Sequence, residues 1–325
     1  MRAVRASKPG GPEVLEIYEI PIPVPAPGEV LIDVAAVGLN RADTLQREGN
    51  YKLPAGASDV LGLEVSGTIS ALGDGVSHFS AGDEVVALLI GGGYAEHVAV
   101  PAGQVLKAPG GIDLVSAAAL PETMATVYSN LFMSARLACG ETVLIHGGAG
   151  GIGTTAIQLA KAFGANVAVT AGLQEKLDAA AGLGADILIN YNDQDFVAEI
   201  KIATAGRGAD VILDVVGAKY LSRNIDALNF SGRLVVIGLQ GGAKTEFDIR
   251  SLMAKRASVI GTLLRSRPVE EKTAIMAALA EHVWPLVAAG TVEVPVSKTF
   301  PLAEVAAAHS YFDSGTHIGK VLLTV

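Results

Sequence analysis

Thr142-Val-Leu-Ile-His146, followed at once by Gly147-Gly-Ala-Gly-Gly-Ile-Gly153, decides how this chain is read. The first five residues are a short β-rich run, and Gly148, Gly150 and Gly153 then fit G-x-G-x-x-G. Ile152, Ala156, Leu159, Ala160 and Phe163 recur on a single helical face beyond it. A glycine-rich turn between strand and helix is the setting in which this pattern binds a dinucleotide. Glycine adopts the angles of such a turn cheaply, and a missing side chain lets a pyrophosphate approach the N–H groups at the positive end of the helix. Gly153 lets helix and sheet pack closely. Gly148, Gly150, Gly151, Ile152 and Gly153 are therefore read as cofactor-binding.

Working outward, further β-rich runs lie at 166–170, 186–189, 211–214, 233–237 and 258–262, with helical patterns between them. Six strands alternating with helices imply right-handed crossovers and an α/β, doubly wound parallel sheet of Rossmann type. The end of the second strand discriminates between nicotinamide cofactors. An NAD site places Asp or Glu there, on the ribose 2′-hydroxyl. This chain reads Val167-Ala-Val-Thr170-Ala-Gly172, with Lys176 soon after. No carboxylate repels a 2′-phosphate, and Lys176 supplies a cation, so Thr170, Gly172 and Lys176 point to NADP(H). The plain alternative for Lys176, beside Glu175, is a solvated helix residue.

The flanks have a different texture. Residues 1–120 are rich in Pro, Gly and Val, with short apolar runs at 29–37, 84–90 and 96–100. Ile20-Pro-Ile-Pro-Val-Pro-Ala-Pro-Gly28 suits neither a helix nor a central strand. The region after 265 carries a long helical stretch at 269–289, a β run at 297–300, a helix at 302–313 and a last strand at 320–325. It is too short for a domain of its own and is expected to complete the N-terminal one. The expected division is thus 1–120 completed by 265–325, and 121–264 as the dinucleotide domain.

Composition narrows the function further. The 325 residues carry 24 Lys+Arg against 33 Asp+Glu, a net charge of −9, and half are hydrophobic. No basic excess exists to displace counterions from nucleic acid. No window reaches the ~18 apolar residues of a membrane span. Met1-Arg-Ala-Val-Arg lacks the apolar core of a signal peptide, so a cytoplasmic location is expected. A lone Cys139 excludes an intrachain disulfide and any multi-cysteine metal site. The six histidines show no ligand spacing, and His146 reads as a satisfied structural residue. Gly91-Gly-Gly93 lacks a following helix and reads as a β-turn.

The chain resembles the zinc-independent quinone oxidoreductases of the medium-chain dehydrogenase/reductase family, and within them the p53-inducible branch. The resemblance rests on Lys8-Pro-Gly-Gly-Pro12, Leu39-Asn-Arg-Ala-Asp43 with Gln46-Arg47, Gly49-Asn-Tyr51, Leu61-Gly-Leu-Glu-Val-Ser-Gly67 and Ala87-Leu-Leu-Ile-Gly-Gly-Gly93. It continues through the glycine turn, Ala156-Ile-Gln-Leu159, Thr170-Ala-Gly172, Leu263-Leu-Arg-Ser-Arg267 and His317-Ile-Gly-Lys-Val321. It implies a GroES-like β-rich domain beside the Rossmann domain, and a homodimer. It implies that Asn40, Asp43 and Tyr51 line the acceptor side. Thr126 is implied near the nicotinamide, Tyr191 near the 2′-phosphate, and Gly217, Leu239 and Leu263 at the ends of later strands.

Zinc enzymes of the same superfamily place a catalytic cysteine where this chain has Asn40 and a catalytic histidine where it has Leu63. Neither makes a zinc site. Without a Lewis acid, reduction of an electrophilic acceptor such as a quinone is expected over alcohol oxidation. Tyr51 offers a flat face and a hydroxyl; Asp43 and Arg47, spaced i, i+4, could equally be a helix pair. The competing readings are an enoyl or 2-alkenal reductase, with Tyr51 as proton donor, and a non-enzymatic crystallin-like or RNA-binding protein.

Overall fold

The computed structural model describes residues 1–54 and 56–325. Two compact units emerge: Thr126–Leu263 with Gly290–Glu293, and Met1–Ala125 with Leu264–Ala289 and Val294–Val325.

The first unit is built on a six-stranded sheet ordered Ile187–Asn190, Asn166–Ala171, Thr142–His146, Ala209–Asp214, Leu228–Val236, Ser258–Gly261. Every neighbouring pair is parallel. In chain order this is 3-2-1-4-5-6, the doubly wound arrangement whose direction of growth reverses beside the first strand. Thr142–His146 is buried along its whole length, as a strand covered on both faces must be. Leu144, Ala168, Ile189, Phe196, Ile200, Ile212 and Leu234 form one core on this sheet. Each large apolar side chain so buried contributes about 1.5–3 kcal/mol.

The fifth strand begins at Leu228, five residues ahead of the expected 233, and carries a register shift against Ala209–Asp214. Asn229, Ser231 and Gly232 hide that start, because they are turn-forming residues, and Ser231 takes a positive φ of 60°.

The second unit is mainly antiparallel. Its seven-stranded sheet runs Val296–Pro301, Lys320–Thr324, Glu29–Gly38, Glu64–Leu72, Glu84–Leu88, Val105–Lys107, with His97–Pro101 added to Glu29–Gly38. Arg2–Ala6 and Leu15–Glu19 form a separate hairpin. The last strand, Lys320–Thr324, pairs with Glu29–Gly38 and so carries the chain's C-terminal stretch into the sheet built by the N-terminal strands. Val30, Ile32, Val65, Ile69, Val85, Val100, Val321 and Leu323 fill the core. The proline run forms no strand or helix, and Val24 is left 87% exposed. The stretch expected as one helix over 269–289 divides into Val269–His282 and Trp284–Ala288. Pro285, second in the latter piece, has no N–H to donate into the first. Among the described residues no helix is long and apolar enough to cross a membrane.

Candidate active site

In the parallel-sheet unit the glycine turn follows the buried central strand and leads into the helix Gly151–Ala162. The three motif glycines are there for different reasons. Gly147, just before them, has φ +79° and needs glycine for its backbone. A Cβ on Gly148 would lie 2.8 Å from Val169 Cβ. A Cβ on Gly153 would strike the Gly147 carbonyl and the Gly148 backbone, so this position sets the close approach of helix and turn. Gly150 is unlike both: its φ of −73° suits any residue, and a Cβ there would meet nothing within 4 Å. Its missing side chain leaves open space at the helix start. The N–H groups of a first helical turn have no partner within the helix, and no side chain caps this one. An open, donor-lined cradle at a positive helix end fits a pyrophosphate.

The strand Asn166–Ala171 ends at Thr170-Ala-Gly172. Tyr191 follows the neighbouring strand directly and lies across Gly172, where a Cβ would come 2.7 Å from its Cζ. Asn192 Nδ2 donates to the Gly172 carbonyl at 2.8 Å, tying the two strand ends together. Lys176 stands in the first turn of the helix Gln174–Gly182. Gly172 and Tyr191 thus meet at a strand end that carries no carboxylate, with Lys176 in the helix that follows, which suits a 2′-phosphate, whereas Thr170 is buried with its hydroxyl turned to His146. Gly217, Leu239 and Leu263 follow the carboxyl ends of Ala209–Asp214, Leu228–Val236 and Ser258–Gly261, where open sheets bind ligands. Leu239 and Leu263 are more than half exposed. Gly217 needs glycine for its own chain, having φ +79° and the Gly242 carbonyl 2.9 Å from any Cβ. Thr126 lies in the helix Pro121–Tyr128, its carbonyl accepting from Asn130 Nδ2 at 2.7 Å.

His146 is a structural residue in this unit. Its Nδ1 lies 3.0 Å from Thr170 Oγ1 and its Nε2 2.8 Å from Asn224 Oδ1. Burial pulls it down to about 4, so the ring is neutral at neutral pH.

In the β-rich unit a polar cluster surrounds Asn40. Glu64, fully buried, accepts at Oε1 from Lys320 Nζ (2.6 Å) and from Asn40 Nδ2 (2.9 Å), and at Oε2 from the Glu122 N–H (2.8 Å). Lys320 Nζ also donates to the Leu39 carbonyl and to Asn40 Oδ1, so its three hydrogens are committed. Asp43, also fully buried, accepts from the Asn40 N–H (2.9 Å) and the Gly62 N–H (3.0 Å). Burial pushes Asp43 up to about 6, and those two donors limit the rise.

Asp43 does not pair with Arg47, as their i, i+4 spacing allowed. Arg47 points the other way, to Asp313 Oδ2 (2.8 Å), His309 Nδ1 (3.1 Å) and the Gly10 carbonyl. His309 therefore accepts at Nδ1 and donates from Nε2 to Tyr94 Oη (3.1 Å), whose hydroxyl faces Asp43 at 3.4 Å. Burial and the neighbouring Arg47 hold His309 down at about 3. Arg265, 3% exposed, donates to the Ile90 carbonyl and to Gln46 Oε1, and its Cζ lies 5.1 Å from the centre of the Tyr51 ring. The face of Tyr51 is thus in cation–π contact, and burial pushes its phenol up from the ordinary value.

Asn40, Asp43 and Tyr51 therefore belong to one cluster. Its other members, Glu64, Glu122, Arg265 and Lys320, carry no local spacing that announces them; Glu64, Arg265 and Lys320 stood inside quoted motifs without a role. A zinc ion does not fit here. Asn40 Oδ1 already faces the Lys320 ammonium, Leu63 is apolar and buried, and exposed Cys139 belongs to the other unit. Among the described residues no group of His, Cys, Asp and Glu converges to hold a metal.

Comparison with known proteins places these features in a family. The alcohol dehydrogenase GroES-like domain matches residues 26–110, and the zinc-binding dehydrogenase domain matches 151–281. The chain is 35% identical to quinone oxidoreductase of Homo sapiens, over 99% of this chain and 97% of that one. It is 32% identical to the structure of Escherichia coli quinone oxidoreductase complexed with NADPH, at a TM-score of 0.90 and covering 100% of both chains. It is 30% identical to the CurK enoyl reductase structure, at a TM-score of 0.88 over 99% of this chain and 98% of that one. With that identity over its full length, the chain belongs to the quinone oxidoreductase family of medium-chain dehydrogenases/reductases.

Proposed function

We propose that the protein is an NADPH-dependent quinone reductase that works without zinc. The observation that carries the cofactor half is the corner where Gly172 and Tyr191 meet, with Lys176 in the helix that follows, which offers a cation and a hydroxyl and no strand-end carboxylate. Gly148, Gly150, Gly151, Ile152 and Gly153 would hold the pyrophosphate, with Thr126, Gly217, Leu239 and Leu263 completing the site from the same unit. NADP(H), when bound, supplies the hydride. Residues 121–264 are in this reading the cofactor domain, and 1–120 with 265–325 the catalytic domain. The family resemblance supports a cytoplasmic homodimer, which sedimentation would test.

On the acceptor side, Tyr51 is proposed to stack on a quinone ring and Asn40 and Asp43 to shape its surroundings. The committed hydrogen bonds of Asp43, Glu64 and Lys320 make this a rigid polar wall, so the protein contributes orientation. Saturation of a conjugated C=C is the second reading, supported by the likeness to an enoyl reductase structure. Steady-state NADPH oxidation by protein dialysed against a chelator separates the possibilities. The proposal expects turnover with a panel of quinones, unchanged by chelation, above that with α,β-unsaturated carbonyls. Turnover with the carbonyls alone, or activity restored only by zinc, contradicts it.

A further inference from the structure

Asp43, Glu64 and Glu122 are three carboxyl groups in one interior, and the hydrogen bonds divide them unequally. Glu64 has three donors and Asp43 two backbone N–H groups plus the Tyr94 hydroxyl. Glu122 Oε2 is enclosed and has no hydrogen-bond partner among the described residues. Glu122 stands in the first turn of the helix Pro121–Tyr128, and its backbone N–H is tied to Glu64, which fixes the side chain's root beside that carboxylate. A second atom of the same cluster is also unmatched: Arg265 Nη1, buried, has no partner among the described residues, although its Nε and Nη2 are both bonded. The unmatched guanidinium N–H belongs to the Arg265 whose Cζ lies 5.1 Å from the centre of the Tyr51 ring, and the Glu122 carboxyl interacts with both residues; an acid oxygen and a guanidinium N–H so left fit a carbonyl-bearing molecule that takes a hydrogen bond from each. Glu122 is half-buried, and ionising it would leave the enclosed Oε2 as a charged acceptor with no donor, which is costly.

Resting on the reading of an acceptor-reducing enzyme, we propose that Glu122 is the acid of this site: it carries a proton at rest and gives it to the acceptor once hydride has arrived. The hydride, which NADPH would supply, adds to the acceptor and makes an anion. The O–H bond of Glu122 then breaks, an O–H bond forms on a hydroquinone anion or a C–H bond on an enolate, and the carboxylate left behind faces Arg265 until water reprotonates it. The groups facing Glu122 are Glu64, Asp43, Lys320, Arg265, Lys272 on the helix Val269–His282, and Tyr51. Burial first and Glu64 second push Glu122 up to about 8, against Lys320 and Arg265. A donor of that strength is matched to neutral pH.

The test combines Glu122→Gln with two readouts. For wild type, kcat/KM at saturating NADPH should fall as pH rises through about 8. In E122Q that limb should be absent and the neutral-pH rate with a conjugated carbonyl lower by about 100-fold or more. With quinones the loss should be smaller, about tenfold, because water protonates an oxygen anion readily. NADPH affinity should not change. Independently of turnover, infrared difference spectra of the acceptor-free wild type should show a protonated carboxyl band at pH 7 that vanishes above pH 8 and is missing in E122Q. If E122Q fails to fold, the pH at which the wild-type band is lost decides the question, because Asp43, pushed up to about 6, gives up its proton well below the range of Glu122. No such band at pH 7, or equal rates and pH profiles in the two proteins, overturns the role of Glu122. Failure of wild type to reduce any quinone or conjugated carbonyl instead overturns the underlying functional reading.

Discussion

The glycine turn and the polar cluster around Asn40 are opposite solutions to building a site. The turn is backbone: residues 147–153 in one run, shaped by side chains that are missing. The cluster is side chain: Glu64 meets Lys320 across 256 positions of sequence, and Arg265 reaches Gln46 across 219. A local backbone site tolerates much around it and little within it. A long-range polar site is only as sound as its least-matched charge, because a buried group deprived of its partner costs more than the pair contributes.

The sharpest way to break that contrast is Lys320→Ala. It strands the Glu64 carboxylate in the interior, and urea unfolding should show a loss of about 3–5 kcal/mol. The Glu64→Gln, Lys320→Met double variant should recover most of it. A loss under about 1 kcal/mol would mean that the pair is solvated. Gly150→Val should do the reverse, leaving Tm nearly unchanged, since its φ of −73° accepts valine and no protein atom lies within 4 Å of a Cβ there. Binding of both NADPH and NADH should weaken about 100-fold, roughly 2.7 kcal/mol. Gly153→Ala, by contrast, should lower both stability and binding, because its Cβ meets the Gly147 carbonyl. Equal Tm losses for the two glycine variants would contradict the division of labour within the turn.

Lys176→Ala sharpens the cofactor side. A charge-assisted contact to phosphate is worth about 1.5 kcal/mol at a partly exposed residue, so NADPH affinity should fall by about one decade and NADH affinity stay level. Equal loss for both cofactors removes Lys176 from the 2′-phosphate. The smallest effect is expected at Tyr51. If its face is what matters, Tyr51→Phe keeps quinone activity and Tyr51→Ala loses about 0.5–1.5 kcal/mol in kcat/KM. If its hydroxyl donates a proton, Phe is as damaging as Ala. Wild-type behaviour of both variants on every acceptor would leave Tyr51 as a packing residue.

The same contrast explains what the sequence made legible. Thr142–His146 follows from local pattern and recurs in the structure with the same bounds, the glycine run after it gives way to helix at Gly151, and all six strands of the parallel sheet could be found from short apolar runs. The expected helix over 269–289 missed its break because apolar periodicity continues through Val283 and Trp284 while Pro285 interrupts the hydrogen bonding. The candidate site was legible only where a motif is contiguous. Asn40 and Asp43 sit on one helix start, and it was the family resemblance of their contiguous motif that pointed to both. Glu64, Glu122, Arg265 and Lys320 are brought together by strand pairing and chain return, which leave no periodic trace. Asp43 and Arg47 show the converse: a spacing that suggests a pair, overridden because Asp43 is taken by backbone N–H groups and Arg47 by Asp313 and His309.

The central claim joins the two regions: an NADPH-reading corner on one unit and metal-free acceptor chemistry on the other. The most direct measurement is the ratio of kcat/KM for NADPH over NADH with one quinone, on protein freed of metal by a chelator. The account predicts full activity and a ratio above about ten, the decade that one phosphate contact supplies. Parity, a preference for NADH, or a dead enzyme revived by zinc would contradict it.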